Sequence, residues 1–239
     1  MAFDLPRDTV IALDDVHVEL DAAPHPFESE HRDAAAAHWI EARAANPALF
    51  DGEIALLSRL ALDGRRLVGR CHIVRYSTFL HWRRTRPSGA GHAYTHAMLV
   101  ASDNALVAAR MGGHTANAGQ VYFAAGSFEP VDFRDGVADL EGNMHREVME
   151  ETGLDISGAE REPGWQAVAK ESGTVVFRRY FLDRPADEIA AAIRATIAAQ
   201  AEPEIVDAIV IRSATDQPPG LASQMPHLID WHFETPRKG

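Results

Sequence analysis

The sequence predicts a mixed α/β protein. The expected form is an α/β/α sandwich, a mixed sheet between helices, with an N-terminal α+β extension ahead of it. Three observations point there. The chain is strand-rich as far as residue 123, apart from one early helix; a helix then covers 140–151; strands and two further helices follow. At 239 residues it has room for one large domain or two small ones. A basic, Gly- and Pro-containing stretch at 83–91 marks the expected boundary, giving an extension over 1–88 and a main domain over 89–239.

Thr9 to Leu20 alternates loosely and reads as a strand or hairpin, with Asp14-Asp15 as its turn. Ser29 to Ala45 is helical: Ser29 suits the cap, Ala34 to Ala37 favour the helix, Trp39 marks its buried side, and Asn46-Pro47 ends it. Ile54 to Leu62 and Arg66 to Tyr76 form a hairpin about Asp63-Gly64. His92 to Ser102 and Ala105 to Met111 form a second, turning at Asp103-Asn104. Gly112 to Gly119 is a loop, and Gln120 to Phe123 a strand. Glu129 to Val137, with two Asp, one Gly and one Pro, reads as an inserted loop. Leu140 to Glu151 is the next helix, capped by Asp139 and stopped by Gly153. Gly164 to Lys170 and Thr174 to Leu182 pair around Ser172-Gly173. Ala186 to Gln200 is amphipathic, with Ile189, Ile193 and Ile197 stacked at i+4. Ile205 to Ile211 is a strand, and Leu221 to Phe233 a short closing helix.

Composition bounds the function. Hydrophobic residues make up 46% and charged residues 24%, as in soluble globular proteins. No apolar run approaches the roughly 20 residues of a membrane span. The first residues lack a basic segment followed by an apolar core, so neither a signal peptide nor a membrane partner is expected. The single Cys71 reads as a buried apolar residue and fits a reducing cytoplasm. A net charge of −12 repels nucleic acid on average, so an anionic small molecule needs a local basic cluster or a metal.

The functional signal lies in Arg146-Glu147-Val148-Met149-Glu150-Glu151-Thr152-Gly153-Leu154. On a helix Glu147 and Glu151 share a face and Glu150 lies beside them. Like charges at that spacing destabilise a bare helix by roughly 0.2–0.5 kcal/mol per pair. Arg146, four before Glu150, offsets part of the repulsion. A divalent cation with a preference for hard oxygen ligands, Mg²⁺ or Mn²⁺, would offset the rest. An acidic, solvated helix face is the plain alternative.

This run resembles the second half of the Nudix box of nucleoside-diphosphate-X hydrolases. That pattern opens with a Gly, then five residues, a Glu, seven residues, and the run itself. Gly126 fits the opening Gly, following the strand Val121-Tyr122-Phe123, with Ala125 where a second Gly is usual. Counting on from Gly126, Asp132 stands where the first Glu belongs; counting back from Arg146, Ala138 does. The box is therefore interrupted, with six residues more than the standard spacing.

The resemblance implies a Mg²⁺-dependent hydrolase cleaving the pyrophosphate bond of a nucleoside diphosphate linked to X. Glu147, Glu150 and Glu151 would bind metal, with the Ala125 carbonyl as a weaker ligand. Arg146, Glu147 and Glu150 would be catalytic, Arg146 holding a carboxylate in place. The general base stays open among Glu147, Glu171, Glu202 and Glu204. Thr115 and Asn117, in a loop rich in hydroxyl, amide and Gly, are candidates for phosphate or ribose; the loop also reads as a connector. Arg110 and Arg75 are candidates for substrate phosphates, as are Arg83 and Arg84. His114 and His145 lack a second His at metal spacing.

Trp39, the segment Asn46-Pro47-Ala48-Leu49-Phe50-Asp51-Gly52 and Tyr76-Ser77-Thr78-Phe79-Leu80 are similar to the N-terminal region of animal Nudix proteins that hydrolyse UDP-glucose and UDP-galactose. A nucleotide sugar is the substrate this implies. The alternative is a non-catalytic Nudix-fold nucleotide-binding or sensor protein, which the altered first half of the box permits. The family admits a homodimer.

Overall fold

The computed structural model of the protein describes residues 3–237. Val10–Leu13 (β1) and Asp15–Leu20 (β2) are both strands, yet they are not a hairpin. β1 pairs antiparallel with residues 165–168, and β2 pairs parallel with residues 66–71. Asp14 is where the chain crosses between two sheets. Alternation fixes which face a side chain takes but not the partner strand.

Helix α1, Pro26–Ala45, starts before Ser29. His25 caps it, its Nδ1 accepting from the Phe27 N–H (3.0 Å) while Nε2 donates to the Leu57 carbonyl (3.1 Å). Pro26 fills the first helical position, where a missing N–H goes unnoticed. Trp39 is half-buried, edge-on to Tyr76. Glu53–Asp63 (β3) and Arg66–Arg75 (β4) form the expected hairpin, with Gly64 at φ +59°. Tyr76–Thr85 (α2) is a helix the sequence does not mark. It forms because Phe79 and Trp82 bury one face among Phe27, Ile54, Leu56 and Val74. Burying each such side chain is worth about 1.5–3 kcal/mol, more than the weak helix propensity of this aromatic stretch opposes.

Ala93–Val100 (β5) and Leu106–Met111 (β6) make the second hairpin, followed by Val121–Tyr122 (β7) and Ala125–Ser127 (β8). The stretch 129–137, expected as a loop, is structured. A 3-10 turn, Pro130–Asp132, leads into a tight hairpin of Phe133–Arg134 (β9) and Val137–Ala138 (β10). Leu140–Thr152 (α3) is capped by Asp139, which accepts from the Gly142 N–H (2.9 Å), and ends at Gly153 with φ +73°. Glu160–Arg161 (β11), Trp165–Lys170 (β12), Gly173–Phe181 (β13), Ala186–Ala199 (α4), Ile205–Ile211 (β14) and Met225–Glu234 (α5) complete the order. α5 starts later than the residue 221 expected.

Nine strands form one mixed sheet along β1-β12-β13-β5-β6-β14, with β11, β7 and β8 pairing beside that path. Five form a second, β3-β4-β2-β10-β9. The sheets do not divide at residue 88: β1 belongs to the large sheet, and β9 and β10 belong to the small one. α3 covers one face of the large sheet, with Asn143 bonded to Thr95 and Met144 beneath the Tyr180 hydroxyl. α4 packs beside it, Thr196 against Gly153. The small sheet covers more of that face, with Val18, Leu57, Leu60 and Leu67 in one buried cluster with Ala93, Ala167 and Val176 of the large sheet. α5 lies on the other face, Trp231 against Phe177. The large sheet therefore sits between helices.

Candidate functional site

The acidic run lies on the last two turns of α3, against β8. Met144 and Val148 are fully buried and fix the rotation of the helix, which turns Glu147 and Glu151 towards the strand. Glu147 lies across Gly126: a Cβ there would collide with the Glu147 carboxylate. Gly126 is thus the space this carboxylate occupies. Glu151 is only 4% exposed, and its Oε2 is buried with no hydrogen-bond partner.

Arg146 is the hub. It meets Asp132 (2.9 Å), Glu147 (2.8 Å) and Glu150 (3.0 Å). Asp132 is buried and saturated: it accepts from Arg146, from the Asn143 amide (3.0 Å) and from the Glu129 N–H (2.9 Å). The residue standing where the first Glu of the box is expected therefore anchors the arginine. Glu150 is drawn outward and stays exposed. The three carboxylates predicted to converge are separated by this pairing. Among the described residues no three His, Cys, Asp or Glu side chains are grouped to hold a metal as they stand.

Burial pushes Glu147 up to about 8, with the Glu150 and Asp132 charges adding to it and Arg146 opposing it. Burial, then the fields of Glu147 and Glu204, raise Glu151 well above the usual carboxylate range, against the Ala125 N–H. Two acids four residues apart, one with a stranded oxygen, fit a divalent cation. Mg²⁺ is commonly held by one or two carboxylates, with substrate phosphates and water completing its shell. Glu147 and Glu151 would hold it here.

The opposite face of the same strands lines a cleft of about 540 Å³. In the pairing of β5 with β8, Thr95 faces Gly126, while Tyr94 faces Ser127 and His96 faces Ala125. Alternation puts Thr95 and Gly126 on the α3 side and the other pairs on the cleft side. His96 donates from Nδ1 to the Phe123 carbonyl (2.9 Å) and accepts from Gln224 (3.0 Å). His92 meets the Ser127 hydroxyl (2.9 Å). Desolvation holds His92 down at about 3, helped by the Arg83 and Arg86 charges, and His96 at about 4. Tyr76, Phe79 and Tyr122 complete an aromatic lining.

Of the predicted substrate-binding residues, Asn117 lines this cleft, with its amide on the Tyr122 hydroxyl (3.2 Å). Thr115 turns back to the Gly112 carbonyl (2.9 Å). Arg110 ties two loops together through the Gly119 (3.3 Å) and Pro219 (3.4 Å) carbonyls. Arg75 pairs with Asp51 (3.4 Å) and does not line the cleft. Arg84 pairs with Glu41 (3.2 Å). Ala125 lies in β8 opposite His96. Glu202 and Glu204 are exposed, and Glu171 gives its carbonyl to Arg86. Arg86 is a cleft residue that sequence reasoning missed. Arg83 comes from α2, a helix only packing reveals.

No family model matches the chain, and no curated protein matches it. Solved structures resemble it remotely. The MutT protein of Methanosarcina mazei Go1 is 19% identical over 38% of this chain and 61% of its own, with a TM-score of 0.28. The NUDIX domain of Shewanella oneidensis NrtR, solved with ADP ribose, is 14% identical over 65% of this chain and 96% of its own, at 0.41. A NUDIX hydrolase of Nitrosomonas europaea is 16% identical over 60% and 86%, at 0.32. The chain spans under two thirds of the first of these.

Proposed function

We propose that the protein is a divalent-cation-dependent hydrolase of the Nudix type, cleaving the pyrophosphate bond of a nucleoside diphosphate linked to X. A nucleotide sugar such as UDP-glucose is the first substrate to try. One observation carries the reading: Glu147 lies across Gly126, Glu151 four residues on is buried beside it on α3, and one Glu151 oxygen has no partner. A solvated acidic face has no reason to bury these groups. Bound Mg²⁺ or Mn²⁺ would screen the phosphate charge and acidify a water. Arg146, fixed by Asp132, keeps Glu147 in place. Glu147, set across Gly126 at the same site, is the first candidate for the base, ahead of Glu171, Glu202 and Glu204. An intracellular site and an optional homodimer belong to the same proposal; no helix among the described residues is long and apolar enough to cross a membrane.

A second reading has its own support. Arg146 draws Glu150 away from Glu147 and Glu151, which suits a nucleotide-binding protein without turnover. Phosphate release from nucleotide sugars, ADP-ribose, dinucleotides and CoA, with and without Mg²⁺, separates the two. Hydrolysis that needs Mg²⁺ and falls by about 10²-fold or more in Glu151→Gln is expected, as for loss of a group acting on the transition state. Silence across the panel favours the binder. Full activity in Glu151→Gln removes the cation assignment.

A further inference from the structure

The only charged side chains lining the 540 Å³ cleft, among the described residues, are Arg83 and Arg86. Both come from the end of α2, Arg86 as its C-cap. The protein carries a net charge of −12, yet neither guanidinium lies in an ion pair among the described residues. Arg83 reaches only the Asn117 side-chain oxygen, at a long 3.4 Å, and hangs 6.0 Å from the Phe79 ring. Neighbouring Arg84, by contrast, is neutralised by Glu41.

Arg86 is unusual in its backbone. It caps α2 in the left-handed conformation, at φ +47°. That position favours glycine, and a side chain kept there calls for a reason. The side chain is firmly placed: Nε donates to the Arg83 carbonyl (3.0 Å), Nη1 to the Glu171 carbonyl (2.6 Å), and the plane lies 5.4 Å from the Trp82 ring. It is held by neutral groups alone, so its charge is left for something else.

We infer that Arg83 and Arg86 form the anion receptor of the cleft and take the phosphate groups of a nucleotide. The chemistry matches. Guanidinium forks bind phosphate oxygens two at a time, and Tyr94, Tyr122 and Phe79 give the same cleft an aromatic lining suited to a base. The inference deepens the proposed activity and rests on it for the kind of ligand. It also accounts for the N-terminal segment, whose α2 supplies the charge that the cleft strands lack.

Binding without turnover tests it. Equilibrium dialysis in EDTA compares ADP, UDP, GDP and CDP, each with its uncharged nucleoside. Wild type should bind at least one diphosphate at least tenfold more tightly than its nucleoside, and rising salt should erase that difference. Arg83→Gln and Arg86→Gln should each lose about tenfold in diphosphate affinity and leave nucleoside affinity unchanged. Arg83→Lys, which keeps the charge and loses the fork, should fall between wild type and Arg83→Gln. Arg65→Gln, in an exposed pair with Asp14, should change nothing. Thermal unfolding confirms that the variants fold, and Arg83→Gln stands alone if Arg86→Gln does not. No preference for diphosphate in wild type, or an undiminished preference in Arg83→Gln, overturns the inference. Hydrolysis is scored separately: diphosphate binding with no hydrolysis keeps the receptor and removes the enzyme.

Discussion

The two faces of β5 and β8 bury titratable groups in opposite ways. On the α3 side, Glu147 has Arg146 as its ion-pair partner and Glu151 is buried with one oxygen unpartnered, and both hold protons above the usual carboxylate range. On the cleft side, His92 and His96 are hydrogen-bonded and held neutral, at about 3 and 4. An unpartnered oxygen on one face and satisfied rings on the other, within one strand's thickness, separate a carboxylate pair waiting for a cation from histidines already complete. Burial alone does not mark a reactive group; unmet bonding does.

The sharpest way to break that contrast is to remove the anchor of the acidic side. Asp132→Ala leaves Arg146 without its buried partner, and breaking such a pair costs about 3–5 kcal/mol. Urea unfolding should show a loss in that range. A loss under about 1 kcal/mol would mean that Glu147 and Glu150 hold the arginine unaided. Gly126→Ala comes next. The added methyl collides with Glu147, so overpacking of about 1–3 kcal/mol is expected, with loss of Mg²⁺-dependent activity. Activity at the wild-type level would show that Glu147 works from elsewhere.

Acid and base sharpen the contrast through its sign. The folded-state values of His92 and His96 lie below the usual 6.5, so the unfolded chain binds more protons in between. Their contribution is complete above pH 6.5 and is lost as pH falls towards 4 and 3. The folded value of Glu147 lies above the usual 4.5, so the folded chain binds more protons. Its contribution is complete below pH 4.5 and is lost as pH rises through about 8. In EDTA, unfolding free energy against pH should therefore fall away on both sides of a central maximum. His96→Gln should flatten the acid limb and Glu147→Gln the alkaline one; if neither limb responds, other groups govern the profile. The smallest effect is expected at Asn117→Ala, where one half-exposed hydrogen bond to Tyr122 is worth about 0.5–1.5 kcal/mol, read by thermal unfolding.

Much of this was legible in the chain. The i, i+4 placement of Glu147 and Glu151, the Asp139 cap and the Gly153 stop depend on neighbours within one helix, and the structure has each in place. Asp132 was within reach of a count from Gly126, but its bond to Arg146 needs the 3-10 turn and hairpin at 130–138, a stretch that reads as a loop. α2 was illegible because Phe79 and Trp82 fit either a strand or a helix, and the core beneath them decides. Pro26 signalled a helix start that Ser29 obscured. Arg110, Thr115 and Arg75 were chosen by residue type; each satisfies itself locally, a matter of side-chain reach that spacing does not record.

The exchange of strands between the two sheets has one more consequence. β1 is threaded into the body that follows it, and the β9–β10 hairpin is threaded back into the body before it. Neither half can be cut out and shuffled as a cassette. A protein shortened to begin at residue 89 gives up an edge strand of its main sheet and uncovers apolar surface, so it should collect in inclusion bodies.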